Sequence, residues 1–105
     1  MGVLVNEDRF GLVNVAITPS SVAANTSAEQ TFTVTGLRVT DFVVASKPTL
    51  QAGLSLGNAR VSAANTLAIT YDNNTGSPIV PTAETYQVFV YRAEKPQTNP
   101  ATVNL

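Results

Sequence analysis

Hydrophobic and polar residues alternate along most of this chain with a period of two, which is typical of half-buried β-strands. The alternation is strictest over residues 30–35, where Phe32 and Val34 lie on one side and three threonines on the other. No window has the 3.6-residue apolar spacing of a long helix. The pattern predicts six strands, over residues 12–18, 30–35, 41–46, 54–61, 66–71 and 85–92.

Three of these strands carry predictions about their faces. Residues 12–18 place Val13, Val15 and Ile17 on one face. Residues 41–46 are apolar almost throughout, which predicts a strand buried on both faces. In the last strand, alternate residues fall into two sets, Tyr86, Val88 and Val90 against Gln87, Phe89 and Tyr91.

Turn residues separate the strands at intervals typical of small all-β domains. Gly, Pro, Asn and Asp recur between the runs and each favours a turn for its own physical reason. This spacing favours an all-β fold, an antiparallel β-sandwich that is Ig-like or jelly-roll-like, with extended N- and C-terminal arms. We expect the sandwich over residues 10–92, with arms over 1–9 and 93–105, because Pro96 and Pro100 block both a helix and a central strand.

A short repeat stands out within the predicted domain. Ala-Ala-Asn-Thr at residues 23–26 recurs at 63–66, and a Thr-rich strand follows each copy. One interpretation is a duplicated hairpin unit. The other, which we favour because only four residues match, is a turn that leads well into a strand and is used twice.

The composition excludes many kinds of chemistry. The 105 residues contain no Cys, no His and no Trp, and the net charge is −1. A disulfide framework, a thiolate nucleophile, a Ser-His-Asp triad and the usual zinc sites are therefore excluded. We also expect no cofactor, no nucleic-acid partner and no membrane partner, since basic patches and an apolar run of about 20 residues are lacking. The start of the chain gives no signal-peptide pattern.

The remaining candidates for chemistry have simpler explanations. Nearly all of the seven carboxylates fall at predicted turns or strand ends, where an acid is ordinarily a solvated cap rather than half of a catalytic pair. Residues 72–76, Asp-Asn-Asn-Thr-Gly, group oxygen ligands but lack the distal Glu of a calcium loop, and we interpret them as a hairpin turn. No catalytic residue and no metal ligand is predicted, and the chain is expected not to be an enzyme.

Small neutral side chains dominate the polar positions, because Thr, Asn and Ser make up 30 of the 105 residues. Such a surface packs against another protein with little cost for removing charges from water. The last strand should expose rings on one side, where a subunit contact is favoured over sugar or nucleic-acid binding. The predicted partner-contact residues are Val3, Leu4, Val5, Phe89, Tyr91, Pro96, Pro100, Val103 and Leu105.

Several stretches of the chain carry a resemblance to a known class of proteins. They are Ile17-Thr18-Pro19, the runs 22–26 and 29–37, the run 59–67 and the run 81–88. In these short sequence segments and in composition, residues 12–92 resemble small all-β virion proteins of tailed bacteriophages, of the kind that decorate or cement the capsid.

The resemblance implies a non-enzymatic structural protein that binds the outer surface of the capsid and stabilises it. The expected partners are the major capsid protein and further copies of the chain, as a trimer or dimer. The expected location is the capsid surface of the virion, after synthesis in the host cytoplasm. The alternative is a phage tail or fibre component that contacts a host surface polysaccharide.

Overall fold

The structure is a computed structural model and describes residues 9–93. Within that range the chain forms six strands and no helix, and so no helix that could span a membrane. The six described strands overlap the six predicted ones, although β1 begins three residues and β2 four residues before its predicted start. The strands are β1 (Arg9–Ile17), β2 (Thr26–Thr33), β3 (Phe42–Ser46), β4 (Leu54–Ala63), β5 (Thr66–Asn73) and β6 (Glu84–Arg92).

The strands form two antiparallel sheets of three strands each. The first sheet has the order β1-β6-β3 and the second has the order β2-β5-β4. β6 and β5 therefore lie at the centres of the two sheets, while the other four strands form their edges. The pairing of β1 with β6 is continuous from Arg9 opposite Arg92 to Ile17 opposite Glu84.

The hydrophobic core lies between the two sheets, in a sandwich-like arrangement. Tyr71 of β5 and Tyr86 of β6 meet there, with their hydroxyl oxygens 2.9 Å apart and neither residue exposed. Each aliphatic side chain fully buried in such a core contributes about 1.5–3 kcal/mol. The buried cluster comprises Val15, Ile17, Val22, Leu37, Val43, Leu54, Val61, Leu67, Ile69, Tyr71, Tyr86 and Val88.

The predicted grouping of side chains into faces is confirmed in β1 and β6, and the burial predicted for the third strand is corrected. Tyr86 and Val88 point into the core, so that their neighbours in β6 face outward. The prediction that residues 41–46 are buried on both faces is wrong, because Phe42 is 61% and Val44 51% exposed. β3 is an edge strand with the second sheet on one side only. Val13 is 41% exposed although it shares a face with the buried Val15.

The repeated Ala-Ala-Asn-Thr sequence forms the same local turn twice. Asn25 and Asn65 both adopt a left-handed backbone, with φ of 50° and 62°. The hydroxyl of the following Thr donates to the carbonyl two residues back, at 2.9 Å for Thr26 and 3.2 Å for Thr66. The second copy closes the β4–β5 hairpin, whereas the first follows an isolated bridge between Val22 and another loop. The two different contexts favour the interpretation as a turn used twice.

The segment 72–76 covers the end of β5 and the start of a loop between the sheets, so the predicted hairpin turn is wrong. β5 ends at Asn73, and the next strand, β6, belongs to the other sheet. The Asn73 side chain is buried and donates to the carbonyl oxygens of Val22, Ala23 and Ser77 at 2.9–3.2 Å. Its own oxygen accepts from the backbone and hydroxyl of Thr75. Asn73 therefore organises the loop.

Candidate interaction surface

The outer faces of the two sheets differ sharply in chemistry. The outer face of the second sheet carries mainly Thr and Ser from β2 and β5, and one exposed ion pair crosses it. There the Arg60 guanidinium donates two hydrogen bonds of 2.8 Å to the Glu29 carboxylate. This bond lowers the pKa of Glu29 and raises that of Arg60. A polar face of this kind is a normal solvated surface.

The outer face of the first sheet is apolar at one end, and we call this area the apolar face. The strand register places Phe10, Tyr91 and Phe42 side by side in one row. The adjacent row on the same side holds Leu12, Phe89 and Val44. Neighbouring strands lie about 4.8 Å apart, so the six side chains form one contiguous patch. The apolar face thus consists of Phe10, Leu12, Phe42, Val44, Phe89 and Tyr91.

Much of the apolar face is open to solvent. Phe10 is 72% exposed, and Leu12 and Phe42 are each 61% exposed. The half-buried Phe89 lies between them, with its ring centroid 6.2 Å from that of Phe10. From side chains of this size we place the exposed apolar area on the order of 500 Å². An exposed apolar patch of this extent matches the largest patch of an ordinary monomeric protein, and such patches are often functional.

No charged residue lies on the outer side of the first sheet within residues 9–93. Arg92, which follows Tyr91 in the sequence, belongs to the inner side of β6. Its guanidinium donates to both oxygens of the Asp41 carboxylate, at 2.7 and 2.6 Å, and to the carbonyl of Gly36 at 2.9 Å. These hydrogen bonds hold the pKa of Asp41 below its usual value. The apolar face therefore offers shape and apolar area but no charge.

The first half of β1 is exposed on both of its sides. Every residue from Arg9 to Asn14 is exposed, so the second sheet does not fully cover the inner side of this segment. A shallow cavity of about 280 Å³ lies beneath it, lined in part by Val13, Val34, Leu37 and Val90. The apolar surface thus continues from the outer face of the sheet around the free edge of β1.

The carboxylates of the described region already have partners. Glu84 accepts from Lys47 at 3.0 Å and from the Thr49 hydroxyl. Burial alone would raise the pKa of Glu84, but the bonds to Lys47 and Thr49 outweigh it and lower the pKa. Asp72 accepts a hydrogen bond of 2.5 Å from the Ser27 hydroxyl. Among residues 9–93, no group of three or more His, Cys, Asp and Glu side chains is placed to hold a metal ion. Each of the four described carboxylates, Glu29, Asp41, Asp72 and Glu84, is thus held by a hydrogen bond or an ion pair.

The structure brings together two of the predicted partner-contact residues and adds four others. Phe89 and Tyr91 lie on the apolar face, in the central strand of the first sheet. The four added residues are Phe10, Leu12, Phe42 and Val44. Alternation that continues through Gly11 is the sequence signal that would have found Phe10. The other predicted contact residues, Val3, Leu4, Val5, Pro96, Pro100, Val103 and Leu105, lie outside the described residues.

Comparison of the chain with models of protein families, with curated proteins and with solved structures found no significant match.

Proposed function

We propose that this chain is a bacteriophage structural protein that binds the outer surface of the capsid and stabilises it, as a decoration or cement protein. The observation that carries the proposal is the contrast between an uncharged apolar face on one sheet and a Thr/Ser face on the other. A protein with one such face can lie flat on a partner and keep its other side in water. The resemblance of residues 12–92 to phage virion proteins supplies the identity of that partner, the major capsid protein.

Binding through this surface needs no cofactor and no charged anchor. Removing Phe10 and Phe42 from water supplies the driving force, and the uncharged surroundings keep the cost of removing polar groups from water low. Many copies on a symmetric shell would then act together, since linked contacts raise the effective affinity without any new contact. We include self-association into a homo-oligomer, a capsid-surface location and synthesis in the host cytoplasm in the proposal.

The finer assignment of the fold also belongs to the proposal. Two packed three-stranded antiparallel sheets fit an Ig-like or jelly-roll-like sandwich. In this arrangement the arms, residues 1–9 and 93–105, would reach neighbouring subunits. The pairing of Arg9 with Arg92 supports this geometry, because it places the residues next to both arms at the end of the first sheet that carries the apolar face.

The decisive experiment measures binding of the purified protein to particles from which it has been stripped. Phe42→Ser is the test variant, and Leu50→Ser is its control, because Leu50 is 92% exposed but lies outside the apolar face. Loss of an anchor ring at the centre of an interface typically weakens binding by about 30-fold or more. We expect that loss for Phe42→Ser and wild-type binding for Leu50→Ser. Equal binding by both variants would contradict the proposed site, and absence of the chain from purified heads would contradict the proposed function.

Exposed aromatic rings also favour a second candidate, a tail or fibre component that contacts a host polysaccharide. Phe10 and Phe42 present ring faces of the kind that pack on sugars. Mass spectrometry of separated heads and tails distinguishes the two candidates. Hundreds of copies in the head fraction support decoration, whereas a handful of copies in the tail fraction supports the second candidate.

A further inference from the structure

The four edge strands of the two sheets differ in how well they are protected against pairing with another strand. β3 has only five residues, and Lys47 and Pro48 follow it. β4 changes register between Leu56 and Ala59, so its edge is bulged. β2 carries the charged Glu29 near its middle. Short length, bulges and charges are the usual means by which proteins prevent edge-to-edge association.

β1 has none of these protections. It is nine residues long, pairs with β6 at every position without a bulge, and carries no charge and no proline from Phe10 to Ile17. Its first half is exposed on both sides, including the 41% exposed Val13. A long, regular, uncharged edge with apolar residues on both sides is a ready template for another strand.

We propose that β1 pairs antiparallel with β1 of a second copy of the chain, around a twofold axis perpendicular to the sheet. The pairing would join the two first sheets into one sheet of six strands, in the order β3-β6-β1-β1-β6-β3. It would specify one part of the self-association included in the proposed function, and it needs no capsid to form.

Charge and side-chain alternation both favour a second copy as the occupant. Arg9 is the only charged residue of β1 and lies at its very end. With the axis near Val13, the two Arg9 residues would lie at opposite ends of the paired region, roughly 27 Å apart. That separation exceeds the screening length of about 8–10 Å at ordinary salt concentrations, so the two charges barely repel.

The twofold axis also keeps like faces together. Residues directly opposite in an antiparallel pair point to the same side of the sheet. Phe10 and Leu12 of both copies would therefore lie on the same side, and the two apolar faces would become one surface. On the inner side, each Val13 would gain a neighbour from the other copy and lose its exposure to solvent.

Cysteine crosslinking tests this geometry directly. The chain has no Cys, so one introduced thiol forms a disulfide between subunits only with its own copy. We would replace each residue from 10 to 16 in turn, with Thr31→Cys on the edge strand β2 as the matched control. Around a twofold axis, one position of β1 meets its own copy at about 4.5–5.5 Å between Cα atoms, within disulfide range. Positions two residues away are already too far apart.

We expect crosslinking to peak sharply at one position of β1, at least tenfold above Thr31→Cys. A flat profile along β1, or equal crosslinking at Thr31→Cys, would overturn the proposal. All reactions use purified protein without particles. The experiment can therefore refute the β1 pairing without refuting capsid binding, and the particle-binding experiment can refute capsid binding without refuting the β1 pairing.

Charge substitution gives a second test that does not depend on disulfide geometry. Val13→Lys and Val13→Glu, each alone, should sediment as monomers at a concentration where the wild-type protein is dimeric. An equimolar mixture of the two should recover dimers, which also shows that both variants fold. Val39→Lys, at another exposed valine outside the sheets, should stay dimeric. A monomeric wild-type protein, or a mixture that fails to associate, would overturn the pairing.

Discussion

The tyrosine pair between the sheets gives the sharpest prediction about stability. Changing either Tyr71 or Tyr86 to Phe removes one hydroxyl and leaves the other buried without the partner it has here. We expect each single variant to lose about 1–3 kcal/mol of unfolding free energy. The double variant removes both polar groups together, so its loss should be smaller than the sum of the two single losses.

The structure explains the size of the loss expected for each single variant. The two hydroxyl oxygens are 2.9 Å apart, which is within hydrogen-bond range, and both residues are completely buried. Within residues 9–93, no buried side-chain nitrogen or oxygen lacks a hydrogen-bond partner. Each single variant would create the first such atom. The expected interaction energy between the two sites is about 1–2 kcal/mol.

Urea unfolding followed by circular dichroism measures the unfolding free energies of the wild-type protein, the two single variants and the double variant. An unchanged dependence of the free energy on urea would show that the unfolded states are comparable. A loss of 1 kcal/mol also lowers the melting temperature of a domain of this size by about 4–8 °C. If the two single losses add to the double loss within about 0.5 kcal/mol, the hydroxyls do not interact and the reasoning is refuted.

Three further predictions follow from the same structure. Burial raises the pKa of both core tyrosines, so above about pH 10 the unfolded chain loses protons first. The unfolding free energy from urea titrations between pH 8 and 11.5 should therefore fall, by up to about 1.4 kcal/mol per pH unit for each tyrosine. The hydrogen bonds from Arg92 lower the pKa of Asp41, and the resulting stabilisation is present above about pH 4 and is lost as the pH falls through the native pKa. Asp41→Asn should therefore be less stable than the wild type at pH 7 and less sensitive to acid in a circular-dichroism titration. Equal acid sensitivity of the two proteins would contradict this. Gly36 and Gly53 both have positive φ, but only at Gly53 would a methyl group meet the Thr75 side chain. Gly36→Ala should lower the free energy of unfolding by about 1–2 kcal/mol, and Gly53→Ala should lower it by more. Thermal melts of the two variants measure this difference.

The sequence predicted well those features that depend on local alternation. Tyr86 and Val88, which lie on the core side of β6, were correctly grouped on one face, because a central strand shows its two faces directly in its pattern. The same pattern placed Phe89 and Tyr91 on the opposite side. Local spacing also favoured the interpretation of Ala-Ala-Asn-Thr as a turn into a strand.

The missed features depend on which strands become neighbours. Nothing local shows that residues 42–46 form an edge with one uncovered side, so Phe42 and Val44 were assigned to a doubly buried strand. Phe10 was missed because the predicted strand began after Gly11, at Leu12. Asn73 organises its loop through partners about 50 residues away, which no short window can reveal. The apolar face therefore became visible only once the pairing of β1, β6 and β3 was known.

The positions of the tyrosines give this protein a built-in optical reporter. The chain has three tyrosines and no tryptophan, so its near-ultraviolet absorption and its emission come chiefly from tyrosine. Tyr71 and Tyr86 lie in the core and report on folding, whereas Tyr91 lies on the apolar face and would report on the docking proposed there. A single unlabelled sample can thus follow unfolding and test the proposed docking.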